Sequence, residues 1–268
     1  MRTSPALCAL ASVLFLCQTP LWAAGNQAGM KPLDRRPGLL PNGKRPVALT
    51  FDDGPSGRTT PRVLEVLQQH RIPGCFFVIG RNADTATGRQ LMQKMIREGH
   101  TVGNHTQTHP ASKNVNCATL SPDRFANEVR TAGGIILNAT GQQPKFFRFP
   151  GGYATQSKLQ QVKSMGYGVS GWHTDPWDWW GGWKMDLAQR KRKAPSWMPK
   201  DKIDNFVDYA VWAAKVNKGG LFLLHDIKDM TANQLDLLVT KMKQANFEFV
   251  PVTDTRAFPV MNQWANGQ

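Results

Sequence analysis

Two histidines four residues apart, His105 and His109 in the segment HTQTH, are the clearest candidates for chemistry in this 268-residue sequence. At this spacing the sequence predicts that both side chains lie on one face of a helical turn, where they can share a metal ion. Such pairs also occur by chance on exposed helices, so the pair alone is a weak signal. A metal site requires at least one further ligand.

Two adjacent acids, Asp52 and Asp53, follow the apolar run PVALTF and precede Gly54-Pro55. Asp-Gly-Pro is also an ordinary turn sequence, and this alternative stays open. Neighbouring carboxylates repel each other, and a divalent cation beside one with an arginine beside the other would hold both ionised. Two histidines and an aspartate around an open fourth position are typical of a catalytic zinc site.

Two further polar residues follow apolar runs. Arg148 begins the segment RFPGG, which could be a plain turn, but an arginine can also bind a carboxylate through two hydrogen bonds. Gly151 in the same segment lets a backbone N–H approach a ligand closely. His225 in LLHD is suited to proton transfer near neutral pH, although a histidine taken singly is more often structural.

Short apolar runs alternate with helical patterns from Pro46 onward. The sequence predicts strands over 46–51, 75–80, 101–102, 145–149, 168–172, 221–224 and 247–252, and helices over 60–70, 89–98, 122–137, 157–165, 204–216 and 232–245. This α/β alternation favours a mostly parallel sheet, either a barrel or a doubly wound layer. The carboxyl ends of parallel strands gather at one mouth, so the polar residues after each strand, including Asp175 and Asp178, are expected together there.

The N-terminus has the pattern of a secretory signal peptide over residues 1–24. Arg2 precedes an apolar run from 6 to 17, and cleavage is expected after Ala23 or Ala24. A periplasmic or extracellular location follows, with no membrane-spanning segment once the signal is removed.

The remaining chain is expected to be a monomer with one domain, 46–268, preceded by a linker or cover segment, 25–45, rich in proline, glycine and basic residues. An exported chain can pair Cys75 with Cys117, or Cys75 can simply be buried in its apolar strand, and both remain open. The net charge of +14 favours an anionic envelope or acidic polysaccharide over nucleic acid, which is not expected as a partner. A solvated basic surface explains the charge equally well.

Five tryptophans lie within twelve positions: Trp172, Trp177, Trp179, Trp180 and Trp183. Aromatic faces can stack on sugar rings, but they also fill protein cores. We expect Trp172 in the core and some of Trp177, Trp180 and Trp183 near a groove. The basic, proline-containing stretch 191–200 is interpreted as a surface loop, and His173 is a weaker candidate for the cleft.

Five segments occur in order along the chain: TFDDGP, HTQTH, RFPGG, DPWDW and LLHD. Together they resemble the five signature motifs of the polysaccharide deacetylase family, also called carbohydrate esterase family 4 or the NodB-like domain. The resemblance covers about 46–252. It implies a distorted parallel (β/α) barrel in a single catalytic domain and a divalent metal, most often Zn²⁺.

The resemblance also implies a role for each matching residue. The metal ligands would be Asp53, His105 and His109. The proton-transfer set would be the base Asp52, the acid His225 and their partners Arg148 and Asp178. Substrate contacts would come from the Gly151 N–H at the oxyanion and from Trp179, with Trp177 and Asp175 as further candidates.

One position departs from the family pattern. The arginine motif often has tyrosine where this chain has Gly151, so the backbone N–H survives the change while an aromatic wall does not. Tyr153 is a candidate replacement for that wall.

The expected function is hydrolysis of the N-acetyl group of an N-acetylglucosamine-containing glycan. Peptidoglycan is the first candidate and a chitin-like oligosaccharide the second. An O-acetyl esterase acting on xylan or another polysaccharide is an alternative, because the same site can cleave esters. An inactive glycan-binding module is a second alternative, which the intact proton-transfer set argues against.

Overall fold

Seven parallel strands form the centre of the fold in residues 34–267, the part of the chain that a computed structural model describes. They are β1 (Arg45–Asp52), β2 (Gly74–Val78), β3 (Thr101–Asn104), β4 (Phe146–Phe147), β5 (Gly168–Val169), β6 (Gly220–His225) and β7 (Phe247–Phe249). The strand order is β5-β4-β3-β2-β1-β6, and β7 pairs with the first residues of β1.

The sheet curls because the chain beyond β5 reaches β6. The N–H of His173 donates to the carbonyl of Leu221 at 2.8 Å, and Thr174 forms a parallel bridge with Phe222. This contact brings the two ends of the strand order together, so the sheet is a distorted barrel. The predicted fold class is therefore confirmed.

The helices of this part are α1 (Thr60–His70), α2 (Gly80–Ala83), α3 (Ala86–Arg97), α4 (Pro122–Thr140), α5 (Gln156–Ser164), α6 (Leu187–Lys193), α7 (Phe206–Asn217), α8 (Asp229–Gln244) and α9 (Pro259–Ala265). Five of them begin at a side chain that accepts a first-turn N–H: Thr85, Ser121, Thr155, Asp186 and Asn205. Each such cap contributes about 1 kcal/mol. The predicted start of α4 at Ser121-Pro122 is confirmed.

Helices α2, α6 and α9 are not predicted by the sequence pattern. The N-terminus of α9 is capped from far along the chain, since the Asp34 carboxylate accepts the N–H groups of Val260 and Met261 at 2.6 and 3.0 Å. Helix α6 occupies the start of the stretch 191–200, so the loop prediction is wrong for residues 191–193. Local periodicity carries no trace of such distant contacts.

The core packs helices against strands that are buried almost throughout. Every residue of β2 and all of β1 except Arg45 are buried, as expected for a parallel sheet covered by helices. Cys75 and Cys117 are buried in different clusters with free thiols, so the disulfide is absent. Burial raises the pKa of both thiols, that of Cys117 to about 12, which leaves them unreactive.

The predicted signal peptide over 1–24 lies outside the described residues, as does the first part of the predicted linker. From Asp34 onward the chain packs on the domain: Asp34 is buried beneath α9, and Leu40 contacts the core. None of the helices in residues 34–267 combines the length and apolar character needed to cross a bilayer.

Candidate active site

Polar residues gather where the strands end. Asp52 is the last residue of β1, and its Cα pairs in register with that of His225, the last residue of β6. His105 follows β3, and Arg148 follows β4. The barrel therefore brings these four predicted site residues to one mouth.

The turn after β1 separates the two adjacent acids. Asp53 has φ = 76°, a left-handed conformation, and its carbonyl accepts a hydrogen bond from Nδ2 of Asn82 at 2.8 Å. Gly54 is required next, because a Cβ there would lie 2.2 Å from Oδ2 of Asp226. The hydroxyl of Thr60 donates to the same oxygen. Asp226, which has no role predicted from the sequence, therefore packs closely against the turn that follows Asp53 and links it to α1 through Thr60.

Asp53, His105 and His109 form a cluster with the geometry of a metal site. Oδ1 of Asp53 lies 3.5 Å from Nε2 of His105 and 3.2 Å from Nε2 of His109. The three donor atoms lie within 4.8 Å of one another, and Oδ1 of Asp53 is buried without a hydrogen-bond partner. A buried carboxylate oxygen without a donor is costly unless a cation approaches it.

The hydrogen bonds and pKa shifts around the two histidines also favour a metal site. Nδ1 of His105 lies 2.8 Å from the carbonyl oxygen of Arg148, so Nδ1 carries the hydrogen and Nε2 presents a lone pair to Asp53. Burial, and then the neighbouring His105, lower the pKa of His109, which favours the neutral imidazole that a metal requires. Burial opposes ionisation of Asp53, but the surrounding histidines, led by His105, bring its pKa below the usual range.

The loop between the two histidines is not helical, so that part of the prediction is wrong. Thr106 and His109 have φ values of 68° and 58°. The loop is shaped by side chains that bind its backbone, since Glu128 accepts the N–H and hydroxyl of Thr108 at 2.8 and 2.7 Å. Oδ1 of Asn104 accepts the N–H of Thr106 at 2.9 Å. Such bonds replace the helical pattern while still directing both imidazoles to one point.

Arg148 binds one of the two carboxylate oxygens of Asp52. Nη1 of Arg148 donates to Oδ1 of Asp52 at 2.7 Å and to Thr50 Oγ1 at 2.8 Å. Nη2 donates to Ser170 Oγ and the Gly171 carbonyl at 3.0 and 2.9 Å. The expected pair of bonds to one carboxylate is thus replaced by a fully buried network in which Asp52 receives one bond. Breaking such a buried ion pair costs about 3–5 kcal/mol.

His225 is held from behind by Asp178. Nδ1 of His225 lies 2.7 Å from Oδ1 of Asp178, and the backbone N–H of His225 donates to Oδ2 at 2.7 Å. The hydroxyl of Thr231 also donates to Oδ2 at 2.7 Å. Burial alone would lower the pKa of His225, but the Asp178 carboxylate outweighs burial and raises that pKa to about 10.

The comparison with known proteins identifies the family. The polysaccharide deacetylase family model matches residues 40–170. A chitooligosaccharide deacetylase of Bradyrhizobium sp. is 33% identical over 226 residues, which cover 79% of this chain and 90% of that protein. The chain belongs to the polysaccharide deacetylase family.

Solved structures agree with this assignment. A peptidoglycan N-acetylglucosamine deacetylase superposes with a TM-score of 0.65 at 25% identity, covering 82% of this chain and 91% of that one. The Xyl-CE4 domain of a multidomain xylanase from the hindgut metagenome of Trinervitermes trinervoides gives a TM-score of 0.61 at 28% identity, covering 79% and 89%. The chain is thus a polysaccharide deacetylase with relatives named for different polymers.

The tryptophans of this deacetylase divide between core and surface. Trp183 is buried and is therefore not one of the tryptophans near the groove. Trp172, expected in the core, is only half-buried, and its ring lies 5.9 Å from the Arg148 guanidinium. Trp179 is 43% exposed, and its ring centroid lies 4.4 Å from that of Trp177. Trp177 and Trp179 are the chain neighbours of Asp178, so their backbones lie beside the candidate site.

Asp175 organises these tryptophans. Its Oδ1 accepts the N–H of Trp177 at 2.7 Å, and its Oδ2 lies 3.4 Å from Nε1 of Trp179. Burial raises the pKa of Asp175 to about 7. Both carboxylate oxygens of Asp175 contact tryptophans, so Asp175 would affect a substrate by positioning Trp177 and Trp179.

The aromatic ring of Tyr153 packs directly against Gly151. Gly151 has φ = 60° in the short 3-10 turn Pro150–Gly152, and a Cβ at this position would come within 2.7 Å of the Tyr153 ring. The ring of Tyr153 therefore fills the volume that a side chain at 151 would need.

Several residues that support the site carry no signal that sequence reasoning could use: Thr50, Asn104, Glu128, Ser170, Asp226 and Thr231. Asn104 binds the N–H of Thr106 two positions on, whereas each of the other five contacts a residue far away in the chain. His173, in contrast, is placed away from the cleft, because its Nδ1 accepts the N–H of Leu221 at 2.9 Å and its Nε2 donates to the carbonyl of Asp34 at 3.1 Å.

Proposed function

We propose that this deacetylase is an exported, zinc-dependent hydrolase that removes N-acetyl groups from glycans containing N-acetylglucosamine. Peptidoglycan is the first candidate substrate and a chitin-like oligosaccharide the second. The observation that supports this proposal most strongly is that the two adjacent acids have different partners. Asp53 directs an unpaired Oδ1 at two imidazoles, while Asp52 is bound by Arg148.

Asp53, His105 and His109 would hold the metal, for which the donor set of two imidazole nitrogens and one carboxylate oxygen favours Zn²⁺. Bound there, the metal would supply an activated water nucleophile and polarise the amide carbonyl. The hydrogen bond from His105 to the Arg148 carbonyl holds that ring in the tautomer suited to this role.

Asp52 is the general base in this mechanism. Arg148 fixes one of its oxygens, and Oδ2 lies 3.7 Å from Nε2 of His105, so it is next to the ligand cluster. Asp52 therefore accepts the proton of the attacking water at this oxygen. Arg148 balances the charge of Asp52 in a buried setting and keeps it oriented.

His225 is the general acid. An amine is a poor leaving group unless it is protonated, so amide cleavage needs a donor on the nitrogen side. Asp178 holds the proton on Nδ1 of His225, which leaves the Nε2 proton for the departing nitrogen. The products are an amine and acetate.

The acetyl group would be enclosed by backbone and rings. The Gly151 N–H would stabilise the developing oxyanion. Trp179 and the Tyr153 ring, which covers Gly151, would form the walls. Asp175 and Trp177 contribute by setting the position of Trp179.

The same site could cleave acetyl esters, and the likeness to the Xyl-CE4 domain favours esterase activity on xylan as the second candidate. The test is acetate release by the mature protein with zinc added or chelated, on peptidoglycan, chitin oligomers and acetylated xylan in parallel. Zinc-dependent release from an amino-sugar polymer is expected. Release from xylan alone would replace the proposal with an esterase, and binding without any release would indicate a glycan-binding module.

A further inference from the structure

One guanidinium, that of Arg190, links the two ends of residues 181–204. These residues are here called the α6 segment. Arg190 donates five hydrogen bonds to backbone carbonyls, at distances of 2.7 to 3.3 Å, on Gly182, Trp183, Met185, Ile203 and Asp204. Its Cζ also lies 5.5 Å from the Trp183 ring. Because these acceptors lie near both ends of the segment, Arg190 fixes it as a unit.

The α6 segment adds a third ring to the tryptophans beside the site. The ring centroid of Trp197 lies 4.4 Å from that of Trp177, which lies 4.4 Å from that of Trp179. Trp179 and Trp197 are 43% and 45% exposed, whereas the neighbouring Met198 is buried and anchors the chain. These three indoles, here called the aromatic surface, are a concentrated apolar patch of the kind that marks a binding site.

Trp177, the middle residue of the aromatic surface, has a strained backbone conformation. Trp177 has φ = 58°, which is unusual for a bulky side chain. The Asp175 carboxylate accepts its N–H at 2.7 Å, and Nε1 of Trp183 donates to its carbonyl at 2.7 Å. Strain kept in place by such bonds points to a function for the ring's position.

The α6 segment also carries cations in excess of its acids. Asp204 pairs with Lys191 and Asp201 with Lys202, and Asp186 caps α6. Four exposed cations, by contrast, have no ion-pair or hydrogen-bond partner anywhere in residues 34–267: Lys184, Arg192, Lys193 and Lys200. A neutral glycan would leave these charges solvated, whereas a glycan with carboxylates would complement them.

We propose that the aromatic surface and the cations of the α6 segment form a further subsite for a glycan that bears carboxylates. Sugar rings beyond the reacting residue stack on Trp197 and its neighbours, and carboxylates of the same chain meet Arg192 and Lys193. The inference rests on the proposed function and narrows its substrate to an anionic amino-sugar polymer, such as peptidoglycan with free lactyl and peptide carboxylates.

The test measures binding by calorimetry in an Asp52→Asn background, so that turnover does not interfere. The two probes are a soluble peptidoglycan strand fragment with free carboxylates and a neutral N-acetylglucosamine hexamer. The variants are Trp197→Ala, Trp197→Phe, and the pair Arg192→Gln with Lys193→Gln. The pair Lys145→Gln with Lys215→Gln, outside the segment, is the matched charge control.

Trp197→Ala should weaken binding of both probes about tenfold, and Trp197→Phe should recover most of the loss because it retains a ring. The Arg192/Lys193 pair should weaken only the carboxylate-bearing fragment, by about three- to tenfold at low salt, and the effect should fade as salt rises. The control pair should change neither affinity.

Unchanged binding in Trp197→Ala would overturn the subsite. An equal loss for both probes in the Arg192/Lys193 pair, or no loss at all, would overturn the ligand class. Acetate release is measured separately on the otherwise wild-type chain. Absence of release there would refute the proposed function, while the binding comparison would still decide the subsite.

Discussion

Nδ1 of His225 lies 2.7 Å from Oδ1 of Asp178, and this nitrogen–oxygen contact fixes the imidazole and leaves its transferable proton on Nε2. His225→Ala removes the proton donor, so amide cleavage should fall by about 10²–10⁴-fold. Cleavage of an activated acetyl ester should fall far less, because its leaving group needs no proton. Parallel kcat/KM measurements on both substrates check this, and equal losses would refute the general-acid role.

The same pair predicts a pH dependence. Burial alone would lower the pKa of His225, but Asp178 raises it to about 10, so the acid form is present below this pH and is lost as pH rises through it. Asp178→Asn removes the negative charge that raises the pKa of His225, so the alkaline limb of the kcat/KM profile should move to lower pH. Asp236→Asn, which alters the surface partner of His70, is the matched control. An unmoved limb in Asp178→Asn would contradict the assignment.

Glu128 should control metal affinity from a distance. It shapes the loop between the two histidines through both of its bonds to Thr108. Glu128→Ala should weaken zinc binding about tenfold, and Glu128→Gln, which keeps one acceptor, should weaken it less. Zinc titration against a chelating dye measures the effect, with the exposed Glu65→Ala on α1 as control. Unchanged affinity in Glu128→Ala would mean that the loop holds its shape without this carboxylate.

His173 should make folding stability depend on pH. Burial lowers its pKa to about 4 from 6.5, and both ring nitrogens are bonded in the neutral form. Since the folded-state pKa lies below the unfolded one, stability is full above pH 6.5 and is lost as pH falls towards 4.

Urea unfolding at the two ends of this window measures the effect. His173→Gln should reduce the difference in unfolding free energy on the order of 2 kcal/mol, relative to wild type. The surface variant His70→Gln should retain the wild-type difference. An unreduced difference in His173→Gln would show that other groups govern the acid sensitivity.

Residues with reactive side chains at strand ends can be predicted from the sequence because type, order and spacing identify them together. The bounds of α1 and the cap of α4 are equally local, since they depend on periodicity and on Ser121-Pro122. The alternation of strands and helices predicts the parallel sheet, whereas the choice of a barrel over a doubly wound layer comes from the family resemblance. These features depend on neighbours within a few positions of the chain.

What the sequence does not predict depends on distant partners. The loop from His105 to His109 owes its shape to Glu128, and α9 owes its cap to Asp34. Trp183 is buried because Phe206 and Tyr209 of α7 pack against its ring. A local pattern cannot report contacts that exist only after the chain has folded.

The central claim is that adjacent acids have separate roles, with Asp53 binding the metal and Asp52 moving the proton. The most direct test compares zinc content and acetate release in Asp52→Asn and Asp53→Asn. We predict that Asp52→Asn retains its zinc while turnover falls at least about a hundredfold, and that Asp53→Asn loses both. Loss of zinc in Asp52→Asn together with retention in Asp53→Asn would contradict the account.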